Sequence, residues 1–171
     1  DLGLAAGFGG QLFGKIAMNP AVRAISSKPE RGLVVSRAWN GYNIVNAVAL
    51  GISAITWFAG RATLTGKEVD RVSRQLVLAK DVLMGTTVAL GAVNIVGGVI
   101  MGKENNGATP IEDGNTPAKE SPKKVKALQG LFNSLGIVTM ICEAGIIGLT
   151  AVLAMRSGRS AKWSFASRLL P

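Results

Sequence analysis

One acid stands where acids are rare. Glu143 lies in Met140-Ile141-Cys142-Glu143-Ala144-Gly145, near the middle of a long apolar run. A carboxylate at the centre of a bilayer costs about 2.5–3.5 kcal/mol or more unless it is paired, protonated or hydrated. The chemistry open to such a residue is the handling of a proton or a cation. The structural alternative is a hydrogen-bonded glutamic acid that ties helices together. Asp81 is the second candidate, beside Lys80 at the start of another apolar run, where a headgroup layer can accommodate it. Lys15 lies about one turn before the end of the first apolar run and can snorkel outward. If it reaches inward instead, a Lys15–Glu143 ion pair becomes conceivable.

Small and polar residues recur at helical spacing around these groups. They are Asn43, Asn46 and Ser53 in one run, Thr87, Gly91, Asn94 and Gly98 in the next, and Gly136, Thr139 and Glu143 in the last. Asn46 and Asn94 are the amides closest in type and position to an intramembrane polar site. Such stripes line a hydrated path or a ligand cavity, or they form interhelical hydrogen bonds worth about 0.6 kcal/mol each.

Much chemistry is excluded. The chain has no histidine, so His-ligated metals and His-based nucleophilic catalysis are ruled out. Its one cysteine, Cys142, can form no intrachain disulfide and no cysteine metal cage. Gly7-Phe8-Gly9-Gly10 lies inside an apolar run and lacks the strand–turn–helix setting of a phosphate-binding loop. We expect no metal, no evident cofactor other than lipid, and no catalytic residue. The net charge of +9 sits beside apolar runs, so anionic lipid headgroups are the expected partner rather than nucleic acid.

The elements that position these residues follow from the clustering of charge. Only 17% of the 171 residues are charged, and they fall in blocks between long uncharged runs. The pattern predicts an all-α integral membrane bundle of four transmembrane helices in a single domain, with spans near 2–18, 41–59, 82–102 and 131–155. The first has no basic leader and does not read as a signal peptide. It carries Gly3, Gly7, Gly10 and Gly14 on one face, which suits close packing against another helix. Gly91 and Gly98 serve the same purpose in the third.

Helices two to four are expected to extend beyond the bilayer. Ser27-Lys28-Pro29-Glu30 and Thr65-Gly66-Lys67-Glu68 have the form of capping boxes, and Ser121-Pro122 is a cap followed by a first-turn proline. Residues 103–121, rich in Pro, Gly, Asn and acids, predict an exposed, mobile loop. The tail 156–171 mixes Arg156, Arg159, Lys162 and Arg168 with Trp163 and Phe165, which suits a segment lying on the membrane surface.

Lys and Arg number ten on one side of such a bundle and nine on the other, so charge asymmetry does not orient it. The acidic loop and basic tail favour a cytoplasmic C-terminus. The functional expectation is an accessory or structural subunit of a larger membrane complex, packed against other subunits or its own copies. The alternative is a small proton- or cation-coupled transporter or channel built on Glu143. A membrane enzyme acting on an apolar substrate ranks third.

Overall fold

The computed structural model describes residues 2–63 and 70–158. Helix α1 covers Leu2–Phe13 and runs into a π turn at Gly14–Met18, the one-turn helix α2 at Asn19–Ala21 and a 3-10 turn at Val22–Ala24. Three long helices follow: α3 at Lys28–Thr63, α4 at Arg71–Lys103 and α5 at Lys123–Gly158. A 3-10 turn at Glu104–Gly107 and a small antiparallel hairpin, β1 at Ile111–Asp113 and β2 at Thr116–Pro117, join α4 to α5.

Lys28–Arg61, Arg71–Lys103 and Lys123–Arg156 are long and apolar enough to cross a membrane. At about 1.5 Å per residue each extends roughly 50 Å, well past a hydrocarbon core of about 30 Å. Helix α1 has only 12 residues and is too short to stand with them on length.

The burial pattern is inverted relative to a water-soluble bundle. Ile44, Ile55, Val82 and Ile141 face outward, whereas Gln11, Asn46, Thr87, Thr139 and Glu143 are buried. A chain folding in water hides its large aliphatic side chains first. A bundle in hydrocarbon has no reason to hide them, and must instead enclose its polar groups. A compact apolar cluster of Leu4, Leu50, Met84 and Ile146 crosses the bundle, flanked by Trp57, Leu83 and Ile147.

Small residues set the helix spacing. A Cβ on Gly3 would lie 2.8 Å from Ala49 O and Ser53 Oγ, and one on Gly14 would lie 2.6 Å from the Trp39 ring. Gly7 and Gly10 meet Asn46 and Tyr42 in the same way, so α1 runs antiparallel against α3 along its glycine face. Between the long helices, Gly91 makes room for Leu50, Gly97 for Phe132 and Gly145 for Leu83.

The helix starts differ in detail from the sequence pattern. Ser27 caps α3: the Glu30 N–H points to Ser27 Oγ at 3.5 Å, and the Arg31 N–H bonds Ser27 O at 3.0 Å. Helix α4 is described from Arg71, behind Asp70, whose carboxylate accepts the Ser73 N–H at 3.4 Å. The Thr65 capping box and the tail beyond 158 lie outside the described residues. Ser121 donates its hydroxyl to Pro110 O and so ties down the loop before α5.

Residues 103–121 are a correction. An exposed, mobile segment was expected, yet Ile111, Asp113, Ala118 and Ser121 are buried. The reason is a set of polar ties with no sequence period. Asp113 Oδ1 accepts the Asn115 and Thr116 N–H groups at 2.7 and 2.8 Å, and the other oxygen pairs with Arg23. Arg31 donates to Glu112 O at 2.9 Å, and Lys28 bridges Glu112 and Glu120. The 3-10 turn after α4 closes on Asn106 and Gly107, both at positive φ, which turns the chain back over the bundle. Gly32 then lets the Thr109 backbone lie against α3, where a Cβ would collide with it.

A polar cavity above a buried glutamate

The turn after α1 brings the first polar groups inward. Gly14 packs against Trp39 of α3, while Lys15, next in the π turn, crosses to α5. There the ammonium donates to Asn133 Oδ1 at 3.1 Å and Asn133 O at 3.3 Å. Two expectations are corrected here. Lys15 reaches into the bundle instead of snorkelling out. Its partner is Asn133, ten residues before Glu143, so the Lys15–Glu143 pair does not form.

A ring of amides holds this end together. Asn19 donates to Asn115 Oδ1 at 2.8 Å and accepts the Trp39 indole N–H at 3.1 Å. Asn115 donates to Lys15 O at 3.2 Å, and Asn133 donates to Asn115 O at 3.0 Å. The hairpin thereby covers the end of the bundle where α1 stops and α5 starts.

Beneath the cover is a cavity of about 200 Å³. Its polar lining comes from all four principal helices: Gln11, Lys15, Asn40, Asn43, Asn94 and Asn133 are its main hydrogen-bonding groups. Trp39, Tyr42 and Phe132 supply aromatic walls. Asn43 and Asn40 reach across to the bare backbone of Gly98 and Gly102. Asn94 sits deeper, its amide 3.5 Å from Thr139 Oγ1.

Glu143 lies below this cavity and is fully buried. Its Oε2 faces Gln11 Nε2 at 3.4 Å, a long bond, and its Oε1 has no hydrogen-bond partner. Gly7 separates that bare oxygen from Asn46: a Cβ there would be 3.0 Å from Glu143 Oε1 and 2.9 Å from Asn46 Oδ1. Tyr42 closes the group by donating to Gly7 O at 2.5 Å, with Asn46 Oδ1 at 3.3 Å. Thr87 Oγ1, also fully buried, is a second oxygen without a partner. Glu143 is thus a titratable group enclosed among neutral dipoles, and the chemistry it can do is to take up and release a proton.

Asp81 belongs to the opposite end and is fully engaged. Trp57 Nε1 donates to it at 2.7 Å, and Arg61 bridges it with Nη2 at 2.8 Å. Its neighbour Lys80 is buried, its ammonium 4.1 Å from the centre of the Trp57 ring. A second, smaller cavity of about 110 Å³ lies here, lined by Leu4, Ser53, Thr56, Trp57, Lys80 and Met84.

The structure therefore brings Glu143, Asn46 and Gly7 together, places Lys15 and Asn94 in the adjoining cavity, and sets Asp81 apart. Sequence reasoning missed Gln11, Tyr42, Asn133 and Lys80. Gln11 had a signal: it is the one uncharged polar side chain in the first apolar run before Asn19, four residues from both Gly7 and Lys15. Among the described residues no group of three or more acids, histidines or cysteines could hold a metal ion. No protein-family model, curated protein or solved structure matches the chain.

Proposed function

We propose that this chain is a polytopic membrane protein that binds a small polar solute inside its bundle and couples the solute's movement to a proton on Glu143. One observation carries the reading. A carboxyl group with a bare oxygen is enclosed directly beneath an amide-lined cavity. A purely structural acid would saturate its oxygens, because each unmet bond at low dielectric is costly. Helices α3, α4 and α5 cross the membrane and project beyond it. Helix α1, extended by the π turn, is the fourth membrane element, held along its glycine face. The C-terminus is cytoplasmic.

The accessory-subunit reading draws on the outward aliphatic faces, which suit lipid and protein neighbours equally. Its glycine argument is weaker than the sequence suggested, since Gly3, Gly7, Gly10 and Gly14 already face α3 of the same chain.

The test is reconstitution. In proteoliposomes holding a pH-sensitive dye, an inward gradient of the transported solute acidifies the lumen, and Glu143→Gln abolishes the acidification while solute binding persists. Purification with stoichiometric foreign subunits, and an Glu143→Gln protein that behaves as wild type, would instead establish the accessory role.

A further inference from the structure

The two cavities share a feature that the proposed function does not explain. Among the described residues, Lys15 is the one charged residue lining the larger cavity, and Lys80 is the one charged residue lining the smaller. Neither is neutralised in place. Lys15 is held by the carbonyl oxygens of Asn133, and Lys80 by the face of Trp57, while the neighbouring Asp81 is engaged by Arg61 and the Trp57 indole. Among the described residues no acid lines the larger cavity: Asp113, between the lining residues Ile111 and Gly114, is paired with Arg23, and Glu143 is screened by the Gln11 amide. The lining also offers donors: Asn43 Nδ2 would lie 2.8 Å from a Cβ on Gly98, and Asn40 Nδ2 would lie 3.3 Å from one on Gly102.

Between the chambers stands the apolar cluster of Leu4, Leu50, Met84 and Ile146. Leu4 and Met84 also line the smaller chamber, so this cluster is its wall. An apolar constriction of this kind blocks an ion until it is wetted or its side chains part.

We propose that the solute is a small anion, a halide or a short-chain carboxylate, bound by Lys15, Asn40 and Asn43 in the first chamber and by Lys80 in the second. This rests on the transport reading for its direction of movement, but the binding site stands without it. The volume suits it: about 200 Å³ has room for a halide or a short-chain carboxylate with its remaining waters. The charge suits it as well, because one anion moving with one proton on Glu143 is electrically neutral and avoids the cost of carrying net charge across hydrocarbon.

Acetate and its neutral analogue acetamide test the assignment. Trp39 lines the larger cavity, so its emission reports occupancy there in the full-length protein once Trp57 and Trp163 are replaced by phenylalanine. In phosphatidylcholine nanodiscs, acetate gives a saturable emission change and acetamide gives none. Lys15→Gln weakens the acetate response at least tenfold, and Lys15→Arg retains it. Asn43→Asp, which puts an acid in the cavity and leaves Lys15 intact, abolishes the response and covers the case in which Lys15→Gln fails to fold. Equal responses to acetate and acetamide, or an unaffected Lys15→Gln, would overturn the proposal. So would a response seen only with phosphatidylglycerol present, since the anion would then be a lipid headgroup. Acetate binding without proton movement keeps the site and removes the transport reading. Proton-coupled flux of a neutral solute that ignores Lys15→Gln does the reverse.

Discussion

Gln11 and Glu143 meet across 132 residues of sequence, the amide nitrogen of one 3.4 Å from a carboxylate oxygen of the other. The contact joins α1 to α5 and separates the lysine-bearing cavity from the buried acid. It is long for a hydrogen bond, and the second oxygen of Glu143 is bare. This arrangement leaves the acid free to change protonation state without breaking a strong contact. Glu143→Gln should therefore fold and melt close to wild type, because the amide matches the acid in shape. It should lose at least tenfold in proton-coupled flux. Melting in detergent together with dye-reported flux checks both halves. A large drop in melting temperature with unchanged flux would make Glu143 a structural residue.

Gly7 offers a more local test of packing. An alanine Cβ there would lie within about 3 Å of two oxygens, 2.9 Å from Asn46 and 3.0 Å from Glu143. Both are side-chain ends, but both side chains are buried, so making room displaces Asn46 from Tyr42 and Glu143 from its enclosure. Gly7→Ala should destabilise the bundle by about 1–3 kcal/mol, the usual cost of overpacking. Gly9, two residues on, meets nothing within 4 Å. Gly9→Ala should be neutral or stabilise α1 by up to about 1 kcal/mol through helix propensity. Thermal unfolding of the pair in one detergent compares them directly, and equal effects would refute this placement of α1.

The acid response of the hairpin follows from Asp113. Burial pushes its carboxyl up, but the N–H groups of Asn115 and Thr116 and the Arg23 guanidinium outweigh that and hold it below its ordinary value of 3.8. A carboxyl whose folded value is depressed contributes stability that is full above its unfolded value and is lost as pH falls through the folded one. The hairpin should therefore hold steady from neutral pH down to about 4 and loosen only below that. Asp113→Asn should loosen it at every pH, since the amide cannot pair with Arg23. Amide hydrogen exchange at residues 111–117 measures both effects. Loosening of the wild-type hairpin near pH 6 would contradict the assignment.

Different physical signals account for what the sequence disclosed and what it withheld. The three long helices were legible because apolar runs between charge blocks are a local property of the chain. The Ser27 cap and the glycine stripe of α1 were legible for the same reason, since both depend on spacing alone. The hairpin was not. Its stability comes from single polar contacts such as Arg23–Asp113 and Asn19–Asn115, each between segments about 90 residues or more apart. Composition marked that stretch as loop, and composition says nothing about which partner a loop finds. Glu143 stood out from its surroundings in sequence, whereas its neighbours Gln11 and Tyr42 did not, because their role depends on how α1 and α3 meet. Lys15 was placed wrongly because no local pattern announces that Asn133, 118 residues away, faces it.

The Trp57–Asp81–Arg61 group makes the last prediction, at the end of the bundle remote from the hairpin. Asp81 accepts the Trp57 indole N–H at 2.7 Å and pairs with Arg61 at 2.8 Å, which ties α3 to α4. Both partners are partly exposed, so the ion pair itself is worth little, within the 0–1 kcal/mol of roughly screened pairs. The indole bond matters more, because it fixes the ring on which the Lys80 ammonium rests. Asp81→Asn keeps an acceptor for the indole and should cost less than about 1 kcal/mol. Asp81→Leu removes the acceptor and should cost about 1–3 kcal/mol, with a shift in Trp57 emission as the ring is released. The same substitution should leave the response of Trp39 to acetate unchanged, since Trp39 reports on the other chamber. Unfolding curves and emission spectra of the two variants separate these effects. If Asp81→Asn and Asp81→Leu prove equally damaging, the charge pair with Arg61, and not the indole bond, holds this end together.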